Sequence, residues 1–145
     1  MAKSHRPSAS TSCADALGRT ELHKAAIEGN AARCRQLLAE SASPDTVDVN
    51  GWAPLHFAAQ SRGLEVVDAL IVAGATVDII DNHGNSALWR AVFSSQGDGR
   101  VIERLRAAGA DPYLANSGGV SPVGLARKIG NYDVAQFFRD LPVEA

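Results

Sequence analysis

Gly51-Trp52-Ala53-Pro54-Leu55-His56-Phe57-Ala58-Ala59 decides how this chain folds. A turn-favouring glycine is followed three residues later by a proline, and Leu55, Ala58 and Ala59 then fall at helical spacing. Proline's fixed φ suits the first position of a helix, where its missing amide has no intrahelical partner to lose. The phrase recurs in both directions. Upstream stands Gly18-Arg19-Thr20-Glu21-Leu22-His23-Lys24-Ala25-Ala26; downstream stand Gly84-Asn85-Ser86-Ala87-Leu88-Trp89-Arg90-Ala91-Val92 and Gly119-Val120-Ser121-Pro122-Val123-Gly124-Leu125-Ala126-Arg127. The four glycines are 33, 33 and 35 residues apart. A period of that length means one small supersecondary unit, repeated and stacked.

Each unit carries the signals of two helices. Thr20, Ser86 and Ser121 occupy the N-cap position, where a hydroxyl can accept from the orphan amides of the first turn. First helices are therefore expected to start near residues 21, 54, 87 and 122, with small residues such as Ala25, Ala58 and Ala91 allowing close approach. Second helices follow on Cys34, Leu37 and Leu38, on Val66, Val67, Leu70 and Ile71, on Val101, Ile102 and Leu105, and on Val134, Phe137 and Phe138. Gly74 and Gly109 end their helices where a left-handed residue is needed, with Ser41 at the equivalent place.

The repeated phrase resembles the ankyrin signature Gly-x-Thr-Pro-Leu-His-x-Ala-Ala, and the resemblance covers roughly residues 15 to 140. It implies an all-α solenoid of four helix-turn-helix repeats, at about 15–47, 48–80, 81–115 and 116–145, joined by β-hairpin-like fingers around 43–51, 76–84 and 111–119. Residues 1–14 match no repeat and read as a flexible tail. The third copy carries two extra residues within Ser94 to Gly99, read as a flexible loop without a packing face. In the fourth, Gly124 and Arg127 replace motif residues, as befits an end repeat facing water.

Composition agrees with a self-sufficient globular chain. Among 145 residues, 46% are hydrophobic and 21% charged, far from the signature of disorder. A net charge of −2 argues against nucleic acid as partner. No stretch approaches the roughly 18 apolar residues of a membrane-spanning helix. Two cysteines, Cys13 and Cys34, provide no disulfide framework, and no apolar run follows the start of the chain as a signal-peptide core would, so a cytoplasmic location is expected.

Candidates for chemistry reduce to structure. His23 and His56 stand at equivalent places without metal-ligand spacing, and the resemblance implies that they tie neighbouring backbone. Cys34 aligns with Val67 and Ile102 and reads as a buried, inert thiol. Gly97-Asp98-Gly99 lacks the lysine and hydroxyl of a phosphate loop. Asp48 and Asp81 recur three residues before their glycines, which points to a turn role. No enzyme activity, metal or cofactor is expected.

The family's partners usually meet the concave surface of finger tips and first helices. Carried over position by position, that surface includes Lys24, Asn50, Trp52, Phe57, Asn82, His83, Arg90 and Phe93. Aromatic residues and arginine dominate interface hot spots, which makes Trp52, Phe57, Arg90 and Phe93 the expected anchors. The competing reading packs Phe57 or Phe93 against a neighbouring finger, and Trp89 is read as core. The function implied is a monomeric protein-binding module that inhibits or sequesters a protein partner, with an adaptor or regulatory subunit as the alternative. Residues 121–138 also resemble the last repeat of small bacterial ankyrin proteins, some of which are immunity proteins that mask a toxin.

Overall fold

In the computed structural model, which describes residues 14–142, the repeated phrase becomes a helix each time. These first helices are α1 (Glu21–Glu28), α3 (Pro54–Gln60), α5 (Ala87–Ser94) and α7 (Pro122–Lys128). The hydroxyls of Thr20, Ser86 and Ser121 accept the amides of His23, Trp89 and Gly124 at 3.3, 3.2 and 3.0 Å. Ala53 has no side chain to offer at the second start, where Pro54 follows instead.

The second helices are α2 (Ala31–Ala39), α4 (Leu64–Val72) and α6 (Arg100–Ala107). They bury Cys34 and Leu37, Val66, Val67 and Leu70, and Val101, Ile102 and Leu105. Gly74 (φ 93°) and Gly109 (φ 97°) follow α4 and α6 in the left-handed region, and Ser41 (φ 75°) follows α2. A serine in that region costs about 1 kcal/mol that glycine avoids.

Two rows result. First helices stack as α1, α3, α5 and α7, and second helices stack beside them as α2, α4 and α6. One continuous apolar cluster runs through both rows, so stability is approximately a sum over neighbour interfaces.

The fingers project from these rows, and no strand is present among the described residues. Each tip closes like a tight hairpin: the Asp48 amide donates to the Trp52 carbonyl at 2.9 Å, and the Gly51 amide to the Asp48 carbonyl at 3.0 Å. Asp81 with Asn85 and Asn116 with Val120 repeat the closure. Successive fingers are linked by single backbone bonds, Val49 to Leu17, Asn82 to Asn50 and Ser117 to His83. Gly84 (φ 80°) is required at this contact, because a Cβ there would stand 2.8 Å from the Ser117 nitrogen.

The far end differs from the other units. Its second member is a 3₁₀ helix, Val134–Phe138, which buries Val134 and Phe138 against α7. Five residues are too few to gain from α-helical propagation.

The loop between α5 and α6 is a correction to the expectation of an unpacked segment. Ser95 is buried, Gly97 lies against the Tyr132 ring, and Gly99 lies against Phe137. Arg62 donates to the Ser95 carbonyl at 3.4 Å, and Asp98 donates its amide to the same carbonyl at 2.9 Å. Gly99 is there because the Phe137 ring leaves no room for a side chain, and Gly97 (φ 90°) because the backbone turns left-handed beside Tyr132. Residues 1–13 of the expected tail, Cys13 among them, lie outside the described residues.

Candidate functional site

The two motif histidines clamp one unit to the next. The Thr20 and Ala53 amides each donate to Nδ1 of His23 and His56 at 3.0 Å, which fixes the proton on Nε2. Nε2 then donates to the carbonyl of Trp52 at 2.8 Å and of Asn85 at 3.0 Å. Both ring nitrogens are thus engaged. Burial, the dominant influence, pushes both imidazoles below their usual 6.5, against the opposing pull of the carbonyl bonds.

A pH dependence follows from that direction. With the folded pKa below the unfolded one, the neutral rings' contribution is complete above about pH 6.5 and is lost as pH falls from there through the folded value. The urea midpoint is expected to drop between about pH 7 and pH 5, and the drop to shrink in a His23→Gln/His56→Gln variant. A level midpoint in the wild-type chain would contradict the clamp.

Trp89 replaces the third histidine. Its indole Nε1 is buried without a hydrogen-bond partner, so the clamp is absent between the third and fourth units. Asn116 bonds Asn85 there instead, Nδ2 to Oδ1 at 2.8 Å. Trp89 is half-buried, part core as expected and part surface.

Beneath the fingers the acidic residues serve the turns. Asp48 Oδ1 accepts the amides of Asn50 and Trp52, both at 2.9 Å, and Asp81 Oδ1 accepts those of His83 and Asn85 at 2.8 and 3.0 Å. Asp15 and Asn116 do the same in the outer units. The remaining oxygens of Asp48 and Asp81 each hold an arginine: Arg19 Nε at 3.4 Å, and Arg90 Nη2 at 2.8 Å. Burial raises the Asp81 pKa, but Arg90 and the two amides outweigh it and hold the carboxyl below its usual value.

From these anchors a ladder of stacked groups crosses three units. The Arg19 guanidinium lies 5.0 Å from the Phe57 ring centre, Phe57 lies 4.6 Å from Trp52, and Arg90 lies 4.3 Å over Trp52. It continues from Arg90 to Trp89 at 5.6 Å and from Trp89 to Phe93 at 5.4 Å. These spacings suit cation–π and aromatic contacts. A hollow of about 420 Å³ opens along the ladder, lined by Arg19, Asp48, Asn50, Trp52, Phe57, Gln60, His83 and Arg90.

Five of the eight expected partner-binding residues therefore meet at one place: Asn50, Trp52, Phe57, His83 and Arg90. Phe93, 60% exposed, stands on a separate hollow with Tyr132. Lys24 pairs with Glu21 at 3.5 Å, and Asn82 tethers fingers through the Val49 carbonyl at 3.0 Å. Arg90 departs from the expectation of a side chain that the scaffold does not use, since its ion pair is largely buried. Trp52 and Phe57, each half-buried, depart in part. Asp48 completes the lining together with Arg19 and Gln60, which the same carrying-over of positions marks as surface, Arg19 lying one period before Trp52 and Gln60 three residues after Phe57 on the same helix.

Other candidates are structural. Cys34 is buried among apolar side chains, which pushes its thiol pKa up to about 11. Among the described residues, no group of three or more His, Cys, Asp or Glu is placed to hold a metal, and no helix is long and apolar enough to cross a membrane.

Comparison with known proteins agrees with this architecture. The family described as ankyrin repeats (3 copies) matches residues 4–81 and 22–116. The chain is 44% identical over 88 residues to potassium channel AKT2/3 of Arabidopsis thaliana, covering 60% of this chain and 11% of that protein. It is 38% identical over 91 residues to human ankyrin repeat and SOCS box protein 3, covering 61% and 17%. It is 33% identical over 122 residues to the tyrosine-protein kinase Shark of Drosophila melanogaster, covering 83% and 13%. The chain thus spans less than a fifth of the length of these relatives. With the periodic phrase, the paired rows of helices and the histidine clamps all in register with that match, this chain belongs to the ankyrin-repeat family.

Proposed function

We propose that this chain is a non-enzymatic module that holds a protein partner in the groove between fingers and first helices, and that it acts by inhibiting or sequestering that partner in the cytoplasm. Ankyrin repeats are protein-interaction modules. One observation carries the reading further: aromatic and arginine side chains from three successive units converge on a single solvent-facing hollow. Such groups supply most of the binding energy in protein interfaces, and a rigid scaffold holds them with little ordering cost on association. Masking of a toxin, as an immunity protein does, is the narrower form of this proposal and rests on the likeness of residues 121–138 noted above.

Partner capture with four baits tests the groove. The wild-type chain and Val72→Ala, altered at an 81% exposed residue of the second row, are expected to retain the same partner. Trp52→Ala and Phe57→Ala are each expected to weaken it by about 1 to 2 kcal/mol, measured on folded protein. Loss of the partner with Val72→Ala and full retention with Trp52→Ala would move the interface to the second row of helices.

A further inference from the structure

The geometry points to an acidic partner segment as the groove's occupant, with a carboxylate seated on the exposed edge of Arg19, Arg90 adding to the positive field of the same hollow, and a neighbouring apolar side chain beside Phe57. This deepens the groove reading above and rests on it.

Charge is distributed unequally between the floor and the surface of the hollow. The side chains of Asp48 and Asp81 are 0% exposed, and both oxygens of each are already occupied by amides and arginine. Arg19 and Arg90 retain 28% and 14% exposure. The charged atoms that a partner meets in this hollow are therefore guanidinium nitrogens, while the compensating carboxylates lie behind them.

Those guanidinium groups have donors to spare. Arg90 uses Nη2 on Asp81 and its Nε is enclosed beyond a partner's reach, which leaves Nη1, bonded to no described residue, as its free donor. Arg19 commits only Nε, at 3.4 Å, and both its Nη atoms are without a partner among the described residues. Arg90 is covered on a face by Trp52, and Arg19 by Phe57. Stacking covers the flat face of a guanidinium and leaves the in-plane N–H edge for an acceptor, and a carboxylate matches that edge.

The second half of the occupant follows from the adjoining space. A hollow of about 270 Å³, bounded by Ile27, Phe57, Gln60 and Ser61, shares Phe57 and Gln60 with the larger one. It offers mostly apolar wall. A carboxylate and an apolar side chain close together on one extended segment fill both. A polyphosphate chain is disfavoured, because two arginines, each offset by a buried aspartate, supply enough positive charge for a single carboxylate and too little for a run of anionic groups on a chain of net charge −2.

The test is a titration of the ¹⁵N-labelled full chain with three nonapeptides that share their leucine and tyrosine positions and differ only in having Glu, Gln or Lys between them. The Glu peptide is expected to bind at least about tenfold tighter than the Gln peptide and to shift the Trp52 indole and Arg Nε–H signals. The advantage is expected to vanish in about 0.5 M salt and to shrink in Arg19→Gln, which leaves the Arg90 pair intact. Arg90→Gln, with its folding checked by circular dichroism, provides a second arm. Equal affinity for the Glu and Gln peptides overturns the acidic occupant, as does a Glu preference that leaves Trp52 unmoved. Absence of any shift at millimolar peptide overturns it too, and inorganic phosphate outcompeting the Glu peptide would assign the edges to a phosphorylated partner instead. Failure of the groove reading looks different, since partner capture would then survive Trp52→Ala.

Discussion

Asp81→Ala is expected to cost about 3 to 5 kcal/mol of folding stability, the range for breaking a buried ion pair by removing one partner. The carboxylate is fully enclosed and does three jobs at once. Oδ1 satisfies the amides of His83 and Asn85, and Oδ2 neutralises Arg90, itself 14% exposed. Alanine leaves two amides without acceptors and a cation without its counter-charge, in a place that water reaches poorly. Against a total of about 5 to 15 kcal/mol for a domain, that is a severe loss. Two comparisons separate the causes. Asp81→Asn keeps an oxygen for the amides and is expected to lose less than alanine. Asp48→Ala breaks a longer pair to the more exposed Arg19 and is expected to fall below Asp81→Ala. Urea denaturation of the three variants measures the order, and a cost for Asp81→Ala below about 1 kcal/mol would mean that Arg90 finds solvent once freed. The same substitution also releases the guanidinium that caps Trp52, so the finger and the groove depend on one carboxylate.

What the sequence made legible divides along a physical line. Features set within one period could be read directly: the caps at Thr20, Ser86 and Ser121, the helix stops at Gly74 and Gly109, the turn role of Asp48 and Asp81, and the burial of Cys34. Each depends on residues a few positions apart, and its recurrence confirms it. Features made between elements or between periods were harder to read. The Arg90 pair with Asp81 lies within one unit but crosses from a finger to a helix, and the stacking of Arg90 on Trp52 joins side chains of two units whose meeting depends on rotamers. The loop from Ser94 to Gly99 looked unpacked because its partners, Tyr132 and Phe137, lie more than thirty residues onward. The histidines are the instructive middle case. Their position was visible, and the resemblance supplied neighbouring backbone as their partner, but the carbonyls of Trp52 and Asn85 and the loss of the clamp at Trp89, whose indole finds no acceptor, follow only from the structure.

Leu70→Ala is expected to cost about 2 to 5 kcal/mol through the cavity it leaves, and its effect on binding separates scaffold from groove. Leu70 is fully buried on α4, the middle helix of the second row, which packs against α2 on one side and α6 on the other. A void there weakens interfaces in both directions, and neither neighbour can collapse into it without leaving its other contacts. Among the described residues Leu37 on α2 has a second-row neighbour on one side only, so Leu37→Ala is expected at the lower end of the same range. The groove, however, is built from fingers, α3 and α5, and none of its lining residues belongs to α4. Folded Leu70→Ala is therefore expected to bind the partner as tightly as the wild-type chain at a temperature well below its transition, while Trp52→Ala shows the reverse pattern. Denaturation and titration of the two variants side by side measure both effects. A loss of affinity in fully folded Leu70→Ala would show that the second row sets the spacing of the ladder, and the binding surface would then have to be treated as part of the same cooperative unit as the core.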